Sequence, residues 1–163
     1  MDWTKQLGRY VVIMLLQVLL FNQLQFWGVC HPYIYILCLL MMPITLPHSV
    51  DMLIGAVAGL VMDVFCNSLG IHTAACILLM FIRPYLLRGM VNDTDRLNEQ
   101  ISSRAIGMEA MIRYVVILVV IHHLTVFLVG AWSWHHIGFA VLETIVRIVT
   151  ITMIIGYNAI KYR

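Results

Sequence analysis

LIGAVAGLVMDVFCNSLG, residues 53–70, is the stretch whose reading decides the fold. It is apolar almost throughout, yet it holds glycines at 55, 59 and 70 and an acid at 63. Gly55, Gly59 and Asp63 recur at every fourth residue, so on a helix they stack along one face. Gly55 and Gly59 form a G-x-x-x-G pair, which lets a second helix backbone come close inside a membrane. Asp63 sits where a charge costs about 3 kcal/mol at the bilayer centre and less near the edge. It needs a partner, a wet cavity or a proton. Two readings stay open. In one, the face packs tightly around a locally paired Asp63. In the other, it docks another chain or lines a functional cavity.

The whole chain shares this character. Of its 163 residues, 62% are hydrophobic and 11% charged, and its mean hydropathy is +0.93. A soluble domain is about 45–50% apolar and about 25% charged. The chain therefore reads as one all-α domain, residues 1–163, integral to a membrane. A net charge of +2 argues against nucleic acid as a partner. Cys30, Cys38, Cys66 and Cys76 form no C-x-x-C pair. Cys30 and Cys66 both fall near the outer surface, where one disulfide is possible. The default is four buried thiols acting as small hydrophobes.

Apolar runs between polar turns predict six membrane spans in one bundle, at about 10–28, 33–47, 50–66, 71–87, 109–131 and 137–157. The second half of the first span carries Gln17, Asn22, Gln23 and Gln25, so one side of it faces inward. The second span is near the lower limit of length, and Pro43 and Pro47 restrict its end. Ser49 or Asp51 can cap the third span. Residues 67–70 close that helix. Arg83, in the last turns of span four, is expected to snorkel to the interface. Residues 89–107 form the one long polar segment, a cytoplasmic loop with mixed charges. Trp132 and Trp134 read as interface anchors.

Lys5 and Arg9 precede span one, Arg88, Arg96, Arg104 and Arg113 lie in or beside the four-to-five loop, and Lys161 and Arg163 follow span six. The opposite turns, 29–32, 67–70 and 132–136, contain no Lys or Arg. Six spans put every cationic segment on one side, so both termini are cytoplasmic. A re-entrant pair in place of spans two and three preserves the same parity.

Glu143 and Arg147 stand four apart on span six, acid first, as a self-neutralising pair requires. Counted at about 1.5 Å per residue, Arg147 falls near mid-membrane, Glu143 nearer the outside, Asp63 in the outer half and His122 at a comparable depth. With Asn22 and Gln23 they form an expected polar cluster in the outer half of the bundle, in which Arg147 bridges both acids. His31, His72, His135 and His136 fall near the outer surface without metal-ligand spacing, and no metal or cofactor is expected. No nucleophile motif with its base is present, so the chain is not read as an enzyme.

Gly55, Gly59, Leu60, Asp63, Val64, Phe65, Leu69 and Gly70, together with size, span pattern and the polar loop, resemble the rod shape-determining MreD family of bacteria. That resemblance covers roughly a tenth of the chain at motif level. It implies a non-enzymatic scaffold in the bacterial inner membrane, within the elongation complex that builds lateral peptidoglycan and sets cell shape. It implies as partners an MreC-like protein with one membrane helix, a RodA-type glycosyltransferase with its transpeptidase, and an MreB-type filament. Gly55, Gly59 and Asp63 would then receive the partner helix, and Gly59→Leu would weaken partner capture more than protein level. The family is also similar in architecture to substrate-binding subunits of energy-coupling-factor transporters. This supplies an alternative, a vitamin-type binding subunit with a pocket at Asn22, Gln23, Asp63 and Glu143. A third reading is an ion-coupled transporter using Asp63, Glu143 and Arg147 as a relay.

Overall fold

A computed structural model describes residues 3–21, 33–42, 46–90, 101, 106–130 and 137–161, and gives only the backbone at Glu143 and Arg147. Among the described residues the chain is all helical. The helices are α1 Trp3–Leu16, widening into a π-helical turn over Gln17–Phe21, α2 Tyr35–Leu40, α3 His48–Cys66, α4 Ile71–Met90, α5 Met108–Gly130 and α6 Ile137–Lys161. From α3 onward each helix packs on the next in the chain, and α1 packs on α2.

Among the described residues three helices, α3, α4 and α5, are long and apolar enough to cross a membrane. Their outward faces are apolar. Leu53, Val57, Leu60 and Val64 form an exposed stripe on α3, and Ile117, Val120, Leu124 and Leu128 one on α5. Asp51, Asp63, His72, Arg83, His122 and His123 are all buried. Charge inside and hydrocarbon outside is the arrangement a lipid-facing bundle requires.

The 53–70 stretch folds as a helical hairpin. α3 stops at Asn67, which takes the left-handed conformation (φ 52°), and Ser68 N–H returns to the Asp63 carbonyl at 3.0 Å. Gly70 also has positive φ (82°), which a glycine accepts without steric cost. It lets α4 start at Ile71 and run back along α3. A Cβ on Gly59 would lie 2.5 Å from Thr73 Cα, and one on Gly55 2.9 Å from the Cys76 carbonyl oxygen. The two glycines are therefore consumed inside the chain. The helix that the Gly55 and Gly59 face meets in the structure is α4.

Span two is corrected more sharply. Among the described residues of that stretch only Tyr35–Leu40 is helical, six residues or about 9 Å, shorter by itself than a hydrocarbon core. All six residues are buried. Lone helical turns inside a bundle leave backbone groups unpaired at both ends, and here side chains take them. Gln17 Oε1 accepts from Ile34 N–H at 2.7 Å and Tyr35 N–H at 3.3 Å. At the far end Tyr114 donates to the Leu40 carbonyl at 2.8 Å. The inward side expected of span one is thus occupied by Gln17, which is fully buried.

The α3 start also differs from expectation. Pro47 precedes it and no side chain caps it. Val50 and Asp51 N–H groups bond instead to the Pro47 carbonyl, at 2.9 and 3.1 Å, and the Asp51 carboxylate turns inward. Most of the polar segment 89–107 lies outside the described residues; Ile101 within it is buried in the core.

Candidate functional site

The buried polar groups lie in two layers joined by α2. One layer sits at the α3–α4 turn. There Asp63 accepts from Ser68 Oγ at 2.7 Å and His72 N–H at 2.9 Å on Oδ1. Its Oδ2 accepts from Thr73 N–H at 2.9 Å and Thr73 Oγ1 at 2.6 Å. Helix α4 begins after Gly70, which has no capping side chain, so Asp63 satisfies its orphan N–H groups from the preceding helix. Two bonds on each oxygen fill the acceptor sites of a carboxylate. Asp63 therefore needs no bridge from Arg147, and the charge that looked isolated in the sequence is held by its own turn.

Beside it, the Tyr35 hydroxyl lies 3.0 Å from His122 Nε2 and 3.4 Å from His72 Nδ1. Cys76 Sγ is 3.7 Å from that hydroxyl and 3.8 Å from His122 Nε2. Tyr33 stands edge-on to the His72 ring, centroids 5.2 Å apart, and stacks toward His123 at 6.4 Å. His123 Nδ1 reaches the Val119 carbonyl at 2.7 Å. α2, α4 and α5 each contribute to this cluster.

The second layer is at the other end. Arg83 is fully buried rather than snorkelled. Its Nε donates to the Tyr114 hydroxyl at 3.0 Å, and its Nη1 pairs with Asp51 Oδ2 at 3.5 Å. Since Tyr114 in turn holds Leu40, this one guanidinium ties α3, α5 and the end of α2 to α4.

Of the expected polar cluster, the structure brings together Asp63 and His122, through His72, whose amide bonds Asp63 and whose ring centroid is 6.3 Å from that of His122. Asn22 and Gln23 lie outside the described residues, as do Cys30, His31, His135 and His136. The Cys30–Cys66 pairing falls there too, while Cys38 and Cys76 are free buried thiols. Glu143 and Arg147 stand on α6. His72, expected near the outer surface, is a buried member of the cluster. Among the described residues no three His, Cys, Asp or Glu side chains are grouped to hold a metal ion.

Tyr35, Tyr114, Cys76 and the Asp51–Arg83 pair carry these layers and were not singled out from sequence as site residues. A signal for the pair exists: Asp51 and Arg83 are equidistant from Asn67, so an antiparallel hairpin turning there sets them at one level. His72 and Cys76, one turn apart on α4, likewise share a face. No family model, curated protein or solved structure matches this chain.

Proposed function

We propose that this chain is a non-enzymatic scaffold of the MreD kind, a multi-pass protein of the bacterial inner membrane that gathers partners for lateral peptidoglycan synthesis. The observation that carries this reading is the 53–70 hairpin. Four of the eight residues that give the resemblance have definite packing roles: Gly55 and Gly59 in close approach, Asp63 as a cap, Gly70 as the hinge. The buried polar groups serve the bundle, which favours a scaffold over an Asp63 relay. The partner's helix then meets exposed apolar faces such as the Leu53, Val57, Leu60 and Val64 stripe rather than the glycines.

Six passes with both termini on the cytoplasmic side go with this proposal. Tyr35 is at the level of His72, near the α3–α4 turn, whereas α3 starts at His48, at its opposite end. In this reading the stretch between Tyr35 and the start of α3 supplies the second pass. An even number of passes keeps the cationic segments together.

The test is recovery of partners. A C-terminal tag, gentle extraction of native membranes and mass spectrometry should return an MreC-like protein with wall synthases. Recovery of a transporter ATPase module without any wall synthase would sink the scaffold reading and support a small-molecule binding subunit.

A further inference from the structure

The second polar layer holds two charged groups that meet along one side only. Arg83 and Asp51 are 0% and 1% exposed. Arg83 Nε donates to Tyr114 and Nη1 to Asp51 Oδ2. Arg83 Nη2 and Asp51 Oδ1 have no hydrogen-bond partner. A guanidinium carries donors on all three nitrogens, and a carboxylate accepts on both oxygens. A fork-to-fork pair would make two parallel bonds; here a single contact at 3.5 Å is made. Two atoms on one trigonal carbon lie about 2.2–2.3 Å apart. Since the bonded atoms are 3.5 Å apart, Nη2 and Oδ1 are separated by no more than about 8 Å. One or two hydrogen-bonded molecules of water size span that distance, at about 2.9 Å per bond.

A third atom of the same kind comes from α1. Tyr10 packs against the core. Its hydroxyl oxygen is buried and unpartnered, and the residue lies within electrostatic range of Arg83. His48 Nε2 is unpartnered too, but that ring packs on Phe81 and Tyr85, which leave α4 on a different side from Arg83.

Charge decides what these atoms can hold. The guanidinium and the carboxylate balance each other. An added anion would meet Asp51 and an added cation Arg83, so neither is favoured there. A neutral molecule that accepts and donates is favoured. It accepts from Arg83 Nη2 and from the Tyr10 hydroxyl and donates to Asp51 Oδ1. Three hydrogen bonds to otherwise unsatisfied groups are what a buried water typically makes. We propose that Arg83, Asp51 and Tyr10 form an internal water site, and that the water it holds bridges α3 and α4 to α1. The bridge adds α1 to the helices that Arg83 already ties together. It does not depend on which partners the chain gathers.

Water-edited solid-state NMR of the full chain, labelled with 15N-arginine and reconstituted in lipid bilayers, tests this. Arg113, with a side chain 62% exposed, is the reference for a wet guanidinium. The Arg83 Nη protons should receive magnetisation from water at the mixing times that reveal Arg113, although Arg83 is sealed from solvent. The Arg83 signal is identified by its loss in the Arg83→Met, Asp51→Leu double variant or, should that fail to accumulate, in Arg83→Lys. An Arg83 signal that stays dark while Arg113 is lit would overturn the proposal; it is the result expected if Nη2 closes directly on Asp51. Tyr10→Phe removes one of the three partners and should weaken the transfer to Arg83, whereas Tyr85→Phe, at an exposed position, should leave it unchanged. Transfer to Arg83 that is the same in Tyr10→Phe as in the wild type would sink the link to α1.

Discussion

Asp63 shows how far one residue can be read in isolation. In the sequence it is a carboxylate within an apolar run, and cost alone says that it must be compensated. The structure supplies four donors within eleven residues of chain: Ser68, the His72 amide, and the amide and hydroxyl of Thr73. Removing the acceptor strands donors of the first turn of α4. Asp63→Ala should therefore destabilise the protein by about 1–2 kcal/mol, the range for loss of a helix cap. Asp63→Asn keeps one acceptor oxygen and should lose less. Thermal unfolding of the two variants in nanodiscs checks the order; equal melting temperatures for Asn and wild type would show that the second oxygen contributes nothing. The need for a partner was legible from position 63 alone. Its identity was not, because the donors are mostly backbone groups and only the turn geometry aims them.

At the scale of elements, the glycine spacing foretold a close helix–helix approach but left the second helix unnamed. An i, i+4 glycine stripe states only that a backbone can come near, and the nearest backbone is the one the turn at 67–70 folds back. Gly59 is the tighter of the two positions, since its missing Cβ would meet Thr73 Cα and N and the His72 carbonyl, all backbone. At Gly55 the first obstacle is Met80 Cγ, on a flexible side chain. Gly59→Ala should thus cost more than Gly55→Ala, toward the upper part of the about 1–3 kcal/mol typical of overpacking. Purified yield and melting temperature of both variants decide it, and a harmless Gly59→Ala would contradict the packing. Gly59→Leu should lower protein level and partner capture together, the reverse of what a partner-only glycine predicts. The second span misled for a related reason. Its apolar run fits a crossing helix, but hydropathy does not distinguish a helix in lipid from a short helix wrapped by others, and α2 depends on Gln17 and Tyr114, distant in sequence, to satisfy its ends.

For the whole molecule, Arg83 is the tie between layers. It reaches Asp51 on α3 and Tyr114 on α5, and through Tyr114 the end of α2. Among the described residues Arg83 Nη2 and Asp51 Oδ1 have no hydrogen-bond partner, so this buried pair is incompletely satisfied. Breaking it from either side leaves a buried charge alone. Arg83→Met or Asp51→Leu should each cost about 3–5 kcal/mol, whereas the double variant, which removes both charges, should be far milder. A double-mutant cycle on melting free energies measures this; additive losses would mean that the two residues do not act as a pair.

Composition and hydropathy determined by themselves that this chain is helical and apolar enough for a membrane, because lipid solvation depends on what the residues are, not on their neighbours. The spacing in 53–70 likewise determined a helix, a stop and a close contact, since those are local consequences of 3.6-residue periodicity and of glycine. Only the tertiary structure decided that Gly55 and Gly59 meet α4, that Arg83 is interior, that residues 35–40 form a buried short helix, and that Tyr35, His72 and His122 converge. Each of these rests on which distant segments share a level in the bundle. Polar groups in a low-dielectric interior must find partners, and the folded chain alone fixes which ones they find.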